Sequence, residues 1–445
     1  MLLTDKEAKE LIKKVLSFSK ADSAVVTIKG GNSSNIRFAG NSITTSGSGD
    51  NLTLEIVSNF SKKSGSASNT TLEDSQIEEV VRNSEENAKL SPESKEFMLP
   101  LNSGQSYPKS KEFFESTASL SPSDMASSVS YTLKTAEKND LRSTGYFETD
   151  EAFTAIGNTN GLYAYHDNTF ARFATTMRTQ DGTGSSKIDR SFADIDNLKI
   201  NELSDRLSER SLLSQNPRRL EPGKYTAILD HTAVCDIVTG MFGYMGMRSA
   251  DEGRSFFSFN GKGNKIGEKL FSDMVNIHSD PSDALAPARP FTDYGFPVSN
   301  TSWIKDGVLQ NLHTSRYWAE KSGRQHVPYP TNLIMQGLNK SVEDLIASTE
   351  RGVFVTRFWY LRSVDQRQML LTGLTRDGVF LIENGRLAYP VNNFRFNESP
   401  VNVLDKIIDM SSAEKVVGSE NINARTVVPA LKVRDFNFST ISDAV

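Results

Sequence analysis

The chain has 445 residues, 37% hydrophobic and 24% charged, and 50 Lys and Arg against 55 Asp and Glu leave a net charge of −5. Such a length exceeds one compact core and predicts two domains, and the mixed charges form no basic stripe, so nucleic acid is not an expected partner. The single cysteine, Cys235, rules out an intramolecular disulfide and a cysteine-based zinc ribbon.

The chain opens Met1-Leu2-Leu3-Thr4-Asp5-Lys6-Glu7 and turns charged at once, unlike a signal peptide. No apolar run approaches the ~20 residues of a membrane span. A cytoplasmic protein with no membrane contact is therefore expected. Thr4 and Glu7 form a capping box that starts a helix, with Ala8, Leu11, Ile12, Val15 and Leu16 on its apolar face. Short strands are predicted at 24–28, 35–39 and 52–57, separated by Gly, Ser and Asn turns. A second helix spans 72–90, and the Ser-, Pro- and Lys-rich stretch 91–122 reads as an irregular connection. A third helix covers 124–138, strands follow at 145–149, 162–166 and 170–179, and a polar helix runs over 201–215. The Pro- and Gly-punctuated segment after Asn216 marks a domain boundary. This divides the chain into 1–215, an N-terminal mixed α/β domain, and 216–445, a β-rich C-terminal domain; the fold class is α+β.

The second part starts with a strand at 224–229 and a helix at about 231–247. After a loop-rich section come strands at 353–362, 368–374, 379–382 and 387–391, with Asn384-Gly385 as a two-residue hairpin turn. The run 261–267 places its glycines as Gly-x-Gly-x-x-x-Gly, which misses the dinucleotide-binding spacing and reads as a surface loop.

Several phrases, in order along nearly the whole chain, resemble the TldD/PmbA family. They are Arg37 to Ile43, Phe291-Thr292-Asp293-Tyr294-Gly295, Ile304 to Gln310, Thr331-Asn332-Leu333 with Gly337, Ser341 to Ile346 and Gly378 to Leu387. The resemblance implies two kinds of subunit. One carries His-Glu-x-x-x-His on a helix and a later cysteine as zinc ligands. The other, TldE/PmbA-like, lacks them, pairs with the first and helps enclose a chamber where short or unfolded peptides are cut. Against that pattern, His231 matches the first histidine, Thr232 stands where the glutamate belongs, and Asp236 where the second histidine belongs. Arg357 to Arg362 contains no later cysteine. No carboxylate is then in place to activate water.

The remnant has its own chemistry. On a helix, His231 and Cys235 lie within about 40° of each other, whereas Asp236 is about 140° from His231. His231, Cys235 and Asp236 are thus weak metal-ligand candidates without a general base. The plainer alternative makes Cys235 a buried hydrophobe and Asp230 the N-cap of a helix that His231 opens. Strand alternation sets Arg357 and Trp359 on one face and Tyr360 and Arg362 on the other. These four are candidate substrate-binding residues for a carboxylate or peptide backbone, with an internal ion pair to Asp365 or Glu383 as the alternative. His166, His278, His313 and His326 show no metal-ligand spacing. A free sheet edge, expected in the C-terminal half, offers peptide binding by strand addition.

The expectation is a non-catalytic TldE/PmbA-like subunit with no cofactor of its own. Zinc would sit in a TldD-like partner, the assembly would be a heterodimer or homodimer, and a peptide would be the substrate. The alternatives are a metallopeptidase with a divergent site and a regulatory protein-binding module.

Overall fold

The structure is a computed structural model that describes residues 2–259, 263–419 and 425–442. Gly261 and Lys262 of the glycine run lie outside the described residues.

Six strands build the first sheet: β1 (Ser23–Ala39), β2 (Ser42–Phe60), β3 (Lys63–Asn69), β4 (Leu141–Asn158), β5 (Tyr163–Thr179) and β6 (Ser185–Phe192). They lie in the order β3-β2-β1-β4-β5-β6, every pairing antiparallel. The predicted short strands are therefore segments of long continuous ones. Gly30 to Ser34 is not a turn, because β2 and β4 flank it and satisfy its backbone on both edges. At Gly31 the neighbouring backbone comes so close that a Cβ would overlap the carbonyl oxygen of Glu151. The real turn is Gly40-Asn41, both with positive φ as a tight hairpin requires.

Helices cover this sheet at two ends. Helices α1 (Asp5–Phe18) and α2 (Asp74–Leu90) bury Ile12, Val15, Ile77 and Val81 against Val26, Ile28 and Phe153. The Thr4–Glu7 capping box that starts α1 is present. The short α3 (Glu115–Ala118) leads into α4 (Pro122–Lys138), which starts two residues earlier than expected because Ser121 is its cap and Pro122 its first residue. With α5 (Ile200–Leu213), α4 covers Ile36, Phe38, Phe147 and Phe173. Alternation puts Val26, Ile28, Ile36 and Phe38 on one face of β1, so two cores share that face with the polar Gly30–Ser34 stretch between them.

The second sheet has eleven strands. After β7 (Gly223–Leu229) come α6 (His231–Phe242) and α7 (Met247–Asp251), so the predicted helix 231–247 breaks at Phe242, just before Gly243. Short elements follow: β8 (Ile277–Ser279), β9 (Thr301–Lys305), β10 (Val308–Leu309), α8 (Arg316–Ser322), β11 (Leu333–Met335) and α9 (Val342–Ala347). The closing part holds β12 (Arg351–Asp365), β13 (Leu370–Glu383), β14 (Arg386–Pro390), β15 (Asn393–Glu398), α10 (Pro400–Asp405), β16 (Ile407–Val416) and β17 (Thr426–Ser442). Asn384-Gly385 turns β13 into β14, both residues at positive φ.

Strands β7, β12, β13, β15 and β17 pair in sequence, and β17 pairs back with β7, closing a ring. Alternation then separates two layers. Ala227, Leu229, Val353, Val355, Val379 and Leu381 join the core that holds α6, while Ile228, Phe354, Phe380 and Ile382 pack under Leu345 and Ile346 of α9. Helix α6 is buried nearly all round, which places the remnant motif at the centre of this half.

Candidate functional site

Asp230 caps α6, its side chain accepting from the His231 amide. Burial opposes the Asp230 charge, but Arg210, 2.8 Å away, and the His231 hydrogen bond outweigh it and hold the carboxyl well below its usual range. The His231 ring is buried. Nδ1 lies 2.9 Å from Asp230 Oδ1, and Nε2 lies 3.1 Å from the Ser412 carbonyl and 3.2 Å from the Ser411 hydroxyl, which itself donates to that carbonyl. Both ring nitrogens thus face acceptors, whereas a metal-ligating imidazole must present a bare nitrogen.

Cys235 is fully buried. Burial pushes its thiol far above the ordinary value, and the adjacent Asp236 carboxylate pushes the same way. The thiolate, the form that ligates metal, is therefore disfavoured. Asp236 is buried too, with Oδ1 so close to Gly418 that a Cβ there would overlap it; the same Cβ would lie 3.4 Å from Cys235 Sγ. The chain facing this part of the helix is thus the end of β16 and the residues after it. Among the described residues no three His, Cys, Asp or Glu side chains are grouped to hold a metal ion. His231, Thr232, Cys235 and Asp236 do not fit a hydrolytic zinc site: both histidine nitrogens are engaged and no glutamate stands at 232.

The four candidate substrate-binding residues are split by the structure. Arg357 is buried, donating from Nε (2.8 Å) to Asp377 Oδ2 and from Nη1 (3.0 Å) to Ser419 Oγ. Its ion-pair partner is Asp377 and not Asp365 or Glu383. Register shifts between Trp359 and Arg362, where Tyr360 takes φ 58°, and the simple alternation stops there. Beyond that bulge the β12–β13 hairpin is largely exposed, carrying Trp359, Tyr360 and Arg362. Arg376 stacks on Trp359 and Arg362 on Tyr360, each 4.2 Å from the ring centroid.

Five strands of the second sheet close into a ring, but among the described strands β14 pairs only with β13 and β10 only with β9, so short open edges do lie in the C-terminal half. A longer one lies on the first sheet, where β3 pairs only with residues 54–60 of β2. Among the described residues no strand pairs with the outer edge of 42–53.

A charged cavity that the sequence did not announce lies beside His231. It has a volume of about 500 Å³ and is walled by Arg190 of β6, Arg206 of α5, and Glu414 and Lys415 of β16. Glu414 lies 4.0 Å from His231 Nε2 and 3.6 Å from Arg190 Nη2. These residues are scattered over more than 200 positions. The available signal was the charge density of Lys187, Asp189 and Arg190 inside the short strand β6, too dense for an ordinary buried edge.

This architecture, a helix-capped antiparallel sheet followed by a strand ring around a central helix, defines an α+β fold with a β-rich second half. Residues 115–215 match the PmbA/TldA metallopeptidase central domain, and residues 222–440 match the PmbA/TldA metallopeptidase C-terminal domain. The chain belongs to the TldD/PmbA family. It is 27% identical over 191 residues to the metalloprotease TldD homolog of Haemophilus influenzae, covering 38% of this chain and 39% of that protein. It is 25% identical over 160 residues to the metalloprotease PmbA homolog of Buchnera aphidicola, covering 34% of each. The matched part thus spans well under half of either relative. Among solved structures, TldE from Thermococcus kodakarensis superposes with a TM-score of 0.86 at 16% identity, over 96% of this chain and 99% of that one. A protein described as a modulator of DNA gyrase from Bacteroides thetaiotaomicron gives 0.84 at 19% identity, over 99% and 100%. Both show the same fold. No helix among the described residues is long and apolar enough to cross a membrane.

Proposed function

We propose that this chain is a non-catalytic, TldE/PmbA-like subunit that pairs with a zinc-bearing, TldD-like homologue and helps hold peptide substrate. The observation that carries this reading is His231. The one residue matching the family's ligand motif has both nitrogens turned to acceptors, beside Thr232 in the place of the general base. Holding such a ring in a buried hydrogen-bonded frame supports a structural role for what is a ligand position in the catalytic subunit. The unpaired edge of β2 suits strand addition by an extended peptide, which uses main-chain hydrogen bonds and tolerates many sequences.

The test is zinc per chain by elemental mass spectrometry on the protein expressed alone, together with a pull-down from its native cells. The reading expects substoichiometric zinc and co-purification of a homologue bearing His-Glu-x-x-x-His. Zinc near one per chain, lost on His231→Ala or Cys235→Ala, would make the chain a metallopeptidase with a divergent site.

A further inference from the structure

The cavity between β6, α5 and β16 is cationic in a way the fold alone does not require. Lys415 is only 6% exposed and Arg190 only 7%. Among the described residues Lys415 has no carboxylate within ion-pairing distance, and its Nζ lies 5.4 Å from the centre of the Phe192 ring. Arg206, on α5 at the same wall, likewise has no ion pair among the described residues. Arg190 hydrogen-bonds the Asp189 carbonyl at 3.0 Å and otherwise has only the 3.6 Å approach of Glu414. Burial weakens the Arg190 charge, and neighbouring Arg206 weakens it further. Glu202 and Glu414 line the cavity as well, but Glu414 is partly exposed and shared with His231.

Buried charges are ordinarily paired, because removing an ion from water costs several kcal/mol that a counter-charge must offset. Four cations, Arg190, Lys199, Arg206 and Lys415, line this cavity against two carboxylates, Glu202 and Glu414; Glu414 serves Arg190, and the buried Lys415 is left without a carboxylate at ion-pairing distance among the described residues, Glu112 and Asp283 acting on it only from farther off. Guanidinium groups and an ammonium are the donors that recognise a carboxylate, and Phe192, Leu203 and Leu285 give the same cavity an apolar wall.

We infer that this cavity binds the C-terminal carboxylate of a peptide, with Arg190, Arg206 and Lys415 holding the carboxylate and Phe192 and Leu203 beside the terminal side chain. The inference rests on the peptide-binding reading above and gives it a polarity: the bound peptide enters this subunit by its C-terminus.

The experiment measures binding to the full chain by calorimetry with N-acetyl-leucine, N-acetyl-leucinamide and inorganic phosphate as separate probes. The expected result is a preference of at least about tenfold for the acid over the amide, each 1.4 kcal/mol being a factor of ten. That preference should be lost in Lys415→Met and in Arg206→Gln. The second variant sits on a partly exposed helix position and serves if the first does not fold. Equal binding of acid and amide, or a preference that survives both substitutions, would overturn the inference. So would phosphate binding more tightly than the acid, by assigning the cavity to a different anion. Because the small probes are too short to pair as a strand, these outcomes are separate from failure of the peptide-binding subunit reading. That reading is judged by longer peptides and by the partner.

Discussion

Asp377→Asn isolates one charge at a junction that ties the two sheets together. Asp377 sits on β13 at φ 54°, a conformation asparagine tolerates well, so the substitution leaves the backbone unstrained. Its Oδ2 takes Arg357, and its Oδ1 takes the Ser185 hydroxyl of β6 at 2.7 Å. The side chains of Arg357 and Asp377 are 10% and 2% exposed. Removing one partner of a buried pair leaves the other charge uncompensated, a loss of about 3–5 kcal/mol. Asparagine keeps a hydrogen-bond acceptor, so about 3 kcal/mol is expected, read from urea denaturation with an unchanged m-value. Burial opposes the Asp377 charge, but Arg357 and the Ser185 hydrogen bond outweigh it and lower the carboxyl below its ordinary range. Its stabilisation is therefore present above the unfolded value and is lost as pH falls through the folded one. The gap between native protein and variant should narrow from about pH 4 downward. Adding Arg357→Met should recover part of the loss by removing the orphaned cation. A deficit below about 1 kcal/mol near neutral pH would refute the premise that this pair is desolvated.

Lys415→Met should raise stability near neutral pH. Burial first and Arg425 second lower the Lys415 ammonium from 10.5 to about 8, so the unfolded chain binds more protons between those values and the native protein gains stability as pH rises through them. That gain, about 3 kcal/mol from the linkage relation, should be absent in the variant; parallel stability curves from about pH 8 to 10.5 would contradict the burial of an unpaired charge. Gly31→Ala should cost about 1–3 kcal/mol, as overpacking does, because its methyl would overlap the Glu151 carbonyl. An unchanged urea midpoint would mean that β1 and β4 part easily there.

Local signals were legible where one residue and its near neighbours decide the outcome. The Thr4 capping box, the Asp230 cap and the Asn384-Gly385 turn are settled by side-chain and φ chemistry within a few residues. The α+β class and the family were readable from alternation and ordered phrases, and so was the loss of the glutamate at Thr232. Strand lengths were not: glycine and serine signal a turn only when no neighbouring strand satisfies their backbone, and β1's two partners arrive from sequence positions up to about 130 residues away. The partner of Arg357 escaped for the same reason, since the register shift between Val355 and Arg357 and the approach of β13 decide which carboxylate it meets. What the tertiary structure alone decided is the environment of charge. The sequence lists Arg190, Arg206 and Lys415 as ordinary surface-type residues, and only the packing of β6 and α5 against β16 removes water from two of them and sets all three on one cavity. Local pattern fixes backbone geometry over a few residues, whereas desolvation depends on every atom that covers a group, most of them distant along the chain.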